Sequence, residues 1–425
     1  MDRLIPGRVP WRTAFRLGFR NLLRNRKRTL LTALTVAIAV FLLQLMMGVM
    51  VGLERQSFDN LIRYQTGNAK IYHEGYFEER DELPLEPALS DAAAVASRVR
   101  QVAGVAAVTP RLTFSAQLSN GVDQIPIHGI GIQVTGSDDE VFSIPRAVIE
   151  GSYLRPGEEG MLLGSGLAEL FEVSAGDWLT VLAKTRPGAY EALDLPIRGI
   201  LGTGNPAIDQ NAFLMPLAEA QRMLAMGGDV TELAVRFQTG YSERTSLRRL
   251  REQAPARTEV RGWREIESDF MDLTMAKRTG QGVFFIIFVI LALVGVTNTM
   301  LMAAFERTSE MGMLMAMGMR SGSVRRLFLT EGALAGLLGG LLGTLLAFAL
   351  LAWLAPKGID LSALYGADIS DMDIGYPVRD VIYPALMIGP MVFAWLATGA
   401  MAALATLYPA VRAGRLDPAE ALRHV

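Results

Sequence analysis

The sequence predicts an α-helical membrane protein with four transmembrane helices plus a large mixed α/β periplasmic domain inserted between helices 1 and 2. Three observations predict it: four apolar segments of spanning length, an uneven distribution of Lys and Arg around them, and a long segment, 54–281, whose pattern mixes strands and helices. A membrane helix needs about 20 predominantly apolar residues. The chain has 425 residues, 51% of them hydrophobic, and its mean hydropathy is +0.28.

In chain order, residues 1–28 read as a cytoplasmic amphipathic helix. Nine basic side chains there (Arg3, Arg8, Arg12, Arg16, Arg20, Arg24, Arg26, Lys27, Arg28) stand against one acid, Asp2. Residues 29–53 form the first span, with Gln44 its one strongly polar member; the run is too long for the apolar region of a signal peptide. The inserted segment 54–281 divides by pattern into a mixed lobe, 54–120 and 226–275, and a β-rich lobe, 121–225, full of Gly and Pro turn signals. "DAAAVASRVRQV" (91–102) and "SERTSLRRLREQ" (242–253) read as helices, and "VAAVTPRLTFSAQL" (105–118) and "TELAVRF" (231–237) as strands.

The second span is 282–304, followed by a polar-ended loop, 305–327, with Arg307, Arg320, Arg325 and Arg326. The third span, 328–354, carries Gly332, Gly336 and Gly340 four apart, with Gly339 and Gly343 repeating the spacing one residue out of phase. Small residues at this spacing let helix backbones approach closely in lipid. Glu331 beside the stripe reads as a structural anchor at the interface. The connection 355–380 holds Lys357 and Arg379 against five aspartates; the fourth span is 381–407, and the tail 408–425 is basic. Because Lys and Arg favour the cytoplasmic side, both termini and the 305–327 loop are expected inside, and the 54–281 domain outside.

Composition also excludes chemistry. The net charge of −2 gives no reason for a nucleic-acid partner, and no cysteine is available for thiol chemistry or thiolate metal sites. His73, His128 and His424 are scattered, so no metal site is expected. An ATP-binding loop needs a Gly-Lys pair, which is absent. "GSGLAE" (164–169) lacks the third glycine of a dinucleotide loop and reads as a turn, and "EERDELPLE" (78–86) reads as a solvated loop. No catalytic residues and no cofactor are expected in this chain.

Three stretches carry a family resemblance: "FRNLLRNRKRTLLTALTVAIAV" (19–40), "FERTSEMGMLMAMGMRSGSVRRLFLTEGALAGLLGG" (305–340) and "YPAVRAGRLDPAEALRH" (408–424). With the layout, they resemble permeases of mechanotransmission-type ABC transporters, the group containing MacB, FtsX and the LolC/LolE lipoprotein-releasing permeases. About 400 residues with no ATPase ahead of the first span resembles the LolC/LolE branch; "GNAKIYHEGYFEER" (67–80) adds a weaker match.

The resemblance implies two permease chains, identical or sisters, on a separate ATPase dimer that binds ATP and Mg. It places a coupling helix in the loop after span two, on Glu306, Arg307, Glu310, Met311, Gly312, Leu314, Ala316, Met317 and Gly318. The residues suit a short helix: Ser309 can cap it, and Met311, Leu314, Met315 and Gly318 follow i, i+3, i+4, i+7. A lipid-like cargo cavity is implied from Leu43, Met46, Met47 and Met50 of span one and Phe284, Phe285 and Phe288 of span two. The implied cargo is a lipoprotein taken from the outer leaflet of a Gram-negative inner membrane and passed to a periplasmic acceptor chaperone. A MacB-like exporter of small molecules or peptides, and an FtsX-like regulator of a cell-wall hydrolase, remain as alternatives.

Overall fold

The computed structural model describes residues 10–24, 26–134, 140–306, 313, 315–360 and 381–413. The chain divides into two compact units. One comprises Met1–Leu53, Thr274–Ile359 and Tyr383–Val425, and the other Glu54–Leu273 and Asp360–Ile382. The helices used below are α1 (Trp11–Arg24), α2 (Arg26–Asn60), α3 (Ala92–Arg100), α4 (Ser165–Phe171), α5 (Leu217–Met223), α6 (Glu243–Glu252), α7 (Ser268–Glu306), α8 (Ser321–Lys357) and α9 (Ile388–Ala405).

The first unit is helical. Among the described residues three helices are long and apolar enough to cross a membrane, Thr29–Thr66, Ser321–Lys357 and Ile388–Val411. The segment 282–304 lies within α7, a helix of 39 residues. Around α8 the contacts are close because its glycines admit neighbouring backbones. A Cβ on Gly339 would stand 2.6 Å from the Ala33 carbonyl oxygen of α2, and one on Gly343 would collide with the Ala37 carbonyl. The other stripe faces α9 and the turn after it: added Cβ atoms at Gly332 and Gly336 would collide with Thr406 and Ala402, and one at Gly340 would lie 3.2 Å from Trp395 Cδ1. The Trp395 indole N–H donates to the Leu337 carbonyl at 2.9 Å. Gln44 crosses between helices, donating to Thr344 Oγ1 at 3.0 Å and to the Met391 carbonyl at 3.2 Å.

The span expected over 381–407 starts later. Val381–Ile382 are extended, and the helix begins at Ile388. Pro384 disfavours helical backbone at Tyr383, and the Ala385 N–H is used on the Gly48 carbonyl at 2.8 Å. Gly48 and Gly52 leave room for that passage, since a Cβ on Gly52 would overlap the Tyr383 carbonyl. The third span is longer than 328–354, because α8 runs from Ser321 to Lys357.

In the second unit, ten strands form one sheet: β1 (Ala69–His73), β2 (Val105–Ser119), β3 (Gln124–Ile132), β4 (Val148–Gly151), β5 (Met161–Gly164), β6 (Trp178–Lys184), β7 (Tyr190–Leu201), β8 (Ala212–Pro216), β9 (Glu232–Phe237) and β10 (Thr258–Gly262). Their order is β10-β1-β9-β2-β3-β8-β5-β7-β4, with β6 pairing β2 and β7. The expected division at 120/121 is therefore not a break in the sheet. Its cause is β2, 15 residues long. The N-terminal half of β2 pairs with β9, and its C-terminal half with β3 and β6.

The cores nevertheless separate. Ile71, Val95, Val99, Val108, Leu233 and Leu250 pack beneath α3 and α6. Leu112, Phe114, Leu163, Leu167, Phe213 and Met215 pack around α4 and α5. "GSGLAE" is a strand-to-helix junction rather than a turn, ending β5 and opening α4. Gly164 is required there by close approach, because a Cβ would collide with the carbonyls of Ile208 and Asp209.

Candidate functional site

The 305–327 loop is the first candidate. Arg307, Glu310, Met311, Gly312 and Leu314 lie outside the described residues, and Glu306 is the last residue of α7. Among the rest, the Met317 N–H bonds the Met313 carbonyl at 3.0 Å, a single helical turn, and the Gly318 N–H bonds the Met315 carbonyl at 3.0 Å. Gly318 sits at φ +95°, where a side chain would be strained. The chain then extends through Arg320 and enters α8.

The methionines point two ways. Met315 and Met319 pack on Val324, Phe328 and Ala410. Met313 is 54% and Met317 71% exposed, and Ala316 is exposed beside them. Met315, expected on the docking face with Leu314 and Gly318, is instead part of the loop's anchorage on α8. Among the described residues of the loop, the exposed methionines are Met313 and Met317.

A second helix braces the same end of α8. On α1, Ala14, Gly18 and Leu22 recur every four residues and are buried. Gly18 lets α1 approach α8 closely, since a Cβ there would stand 3.2 Å from Thr330 Oγ1 and 3.5 Å from the Glu331 nitrogen. The Thr330 hydroxyl donates to the Ala14 carbonyl at 3.3 Å, and the Arg326 guanidinium lies 5.4 Å from the Trp11 ring centre. Glu331 is buried at this contact.

The residues implied as a cargo cavity are not gathered into an enclosed space among the described residues. Met46, Met47 and Phe285 are exposed, and Leu43 and Met50 half-buried; the side chains of Phe284 and Phe288 lie outside the description. Met47 lines a narrow gap with Gln44, Gly48, Leu351 and Met391. The exposed residues belong to longer stripes. On α2, Leu31, Leu34, Ile38 and Leu42 follow each other at three or four residues, and on α7, Val283, Ile286, Ile290 and Val294 do the same.

The inserted domain contains a polar joint that sequence reasoning missed. The residues after Leu53 end in a six-residue π-helix, Leu61–Thr66. Just before it, Asn60 Nδ2 donates to the Thr203 carbonyl at 2.7 Å, and within it Gln65 Nε2 donates to Glu267 Oε1 at 2.8 Å. Asn205 Nδ2 donates to Gln65 Oε1 at 2.8 Å. The 203–205 loop is itself fixed by Asp209, which accepts from the Thr203 N–H, the Thr203 hydroxyl and the Gly204 N–H at 2.7–3.0 Å. One amide, Gln65, thus ties the entry and exit segments of the domain to its β7–β8 loop. "GTGNPAID" (202–209) is a visible turn signal in the sequence, but nothing local tells that its partners sit at 60–65 and 267.

Burial raises the Glu267 carboxyl above the ordinary glutamate range, opposed by the charges of Lys70 and Arg80 and assisted by Asp269. A raised folded-state pKa means that the folded protein binds the proton more tightly than the unfolded chain. Stability from this group is therefore full below the unfolded value, about 4.3, and is lost as pH rises through the folded value. Glu267→Gln keeps an acceptor for Gln65 and removes the charge. The expected result is a melting temperature that falls less than wild type's between pH 4.5 and 7.5; an unchanged slope excludes this group as the source.

Comparison with known proteins follows this division. Residues 29–253 match the MacB-like periplasmic core domain and residues 282–418 the FtsX-like permease C-terminal domain. The lipoprotein-releasing system transmembrane protein LolE of Haemophilus influenzae is 23% identical over 347 residues, 79% of this chain and 82% of that protein. LolC of Xylella fastidiosa is 25% identical over 302 residues, 68% of this chain and 71% of that protein. The macrolide export ATP-binding/permease protein MacB of Sodalis glossinidius is 36% identical over 129 residues, but these are 30% of this chain and 16% of that protein.

Proposed function

The chain belongs to the family of the MacB-like periplasmic core domain and is an ABC transporter permease of the LolC/LolE/MacB/FtsX type; from that premise we propose that it extracts lipoproteins from the outer leaflet of the inner membrane. The observation that carries this reading is coverage. The lipoprotein-releasing relatives match over 79% and 68% of the chain, whereas the macrolide exporter matches over less than a third of it.

In this reading the permease has four spans, with both termini and the 305–327 loop in the cytoplasm. Two permease chains meet along the exposed apolar stripes of α2 and α7, and Leu43, Met46, Met50 and Phe285 face the acyl chains of the cargo. A separate ATPase docks on the loop at Met313 and Met317. Its closure shifts α8, and the movement reaches the inserted domain through the segments that Gln65 and Glu267 join. The domain then passes the cargo to a soluble acceptor. This chain binds no nucleotide, so ATP and Mg belong to the partner.

The complex purified from its native envelope should carry co-purifying acylated protein, detected by mass spectrometry. Depletion of the permease should leave lipoproteins in the inner membrane. Absence of bound lipoprotein together with normal lipoprotein distribution on depletion would exclude this function. An outer-membrane duct or a cell-wall hydrolase recovered in its place would assign the exporter or the regulatory reading.

A further inference from the structure

The inserted domain carries a cleft that the proposed function does not use. It is an open surface cleft of about 760 Å³, lined by Ser242, Glu243, Arg244, Leu247, Arg248 and Arg251 of α6 and its cap, and by Arg264. Four guanidinium groups therefore share one opening. Two of them are held. Arg251 donates to Glu265 and to the Val260 carbonyl. Arg264 lies 3.6 Å from Glu243 and stacks with its Cζ 4.5 Å from the Trp263 ring centre. Glu243 is further fixed by the Trp263 indole N–H at 2.9 Å.

The other two are not neutralised in this way. Arg248 reaches Glu252 only at 3.9 Å with its side chain 71% exposed, and Arg244 has no acidic partner among the described residues. Arg244 and Arg248 are four apart on one helix, an arrangement in which like charges repel. Four guanidinium groups around one opening, two held by close acidic partners and two not, suit a polydentate anion. Planar forked donors match phosphate oxygens better than a point charge would.

We propose that the Arg244–Arg248–Arg251–Arg264 cleft binds a phosphate group, carried by a phospholipid headgroup or free in solution. The cleft stands on its own geometry and does not depend on which cargo the permease handles.

The test uses the full chain purified in an uncharged detergent. Equilibrium binding is measured in separate arms for short-chain phosphatidylglycerol, inorganic phosphate and a neutral diacylglycerol. R244Q/R248Q should weaken phosphatidylglycerol binding at least tenfold, with no effect on diacylglycerol. R249Q, which alters the same helix outside the cleft, should bind as wild type does. A loss confined to the inorganic phosphate arm would keep the site and assign free phosphate as its ligand. Equal affinity of wild type and R244Q/R248Q in both anionic arms, or an equal loss in R249Q, would overturn the proposal. Should R244Q/R248Q fold poorly, R244K/R248K keeps the charge without the fork and should bind between the two; binding equal to wild type's would overturn the phosphate-fork assignment.

Discussion

Gly343→Val is expected to destabilise the helical bundle by about 3 kcal/mol or more, at the upper end of the range for overpacked cores. The neighbour that a Cβ would meet is backbone, the Ala37 carbonyl of α2. Rotamer changes cannot relieve that collision, so α2 and α8 must separate along their length. Separation also pulls Gln44 off Thr344 and Met391, leaving polar groups unpaired in an apolar setting. Gly336→Val should act similarly on the other face, against Ala402 and the Thr398 carbonyl. Gly389→Val is the control, because nothing lies within 4 Å of a Cβ there. The measurement is thermal unfolding in detergent; equal melting temperatures for Gly343→Val and Gly389→Val would remove the glycines from any role in close packing.

Periodicity and local chemistry made much of this architecture legible. Spans are readable because lipid imposes a length and a hydropathy that few other environments require. The helices at 92–100 and 243–252 and the strands at 105–119 and 232–237 carry their own periods. The spacing of Gly332, Gly336 and Gly340 against Gly339 and Gly343 shows two small faces on one helix, but not that one meets α9 and the other α2. Whatever depends on distant partners stayed hidden. In sequence a 15-residue strand reads as material for one lobe, because pairing on two sides is a property of its partners. The Gln65–Glu267–Asn205 joint links residues up to 202 positions apart, and a lone glutamine after an apolar span carries no mark of it. The late start of α9 was locally legible in Pro384, yet the unbroken apolar composition from 381 onward outweighed it.

Two single substitutions two residues apart are expected to separate docking from folding at the 305–327 loop. Met317→Glu places a charge on a side chain that is 71% exposed, so the permease should accumulate and melt as wild type does. If the ATPase docks on this surface, the carboxylate must be desolvated or left facing an apolar groove, and either outcome opposes binding by several kcal/mol. Cargo-stimulated ATP hydrolysis by the assembled complex should then fall at least tenfold, with the basal rate of the free ATPase unchanged. Met315→Glu differs in kind: Met315 packs on Val324, Phe328 and Ala410, so the charge should loosen the loop from α8 and lower the melting temperature as well. The contrast rests on direction rather than composition, since both residues are methionines in one helical turn. Wild-type stimulation in Met317→Glu, with loss only in Met315→Glu, would mean that the loop acts through its anchorage on α8 and that the ATPase docks elsewhere.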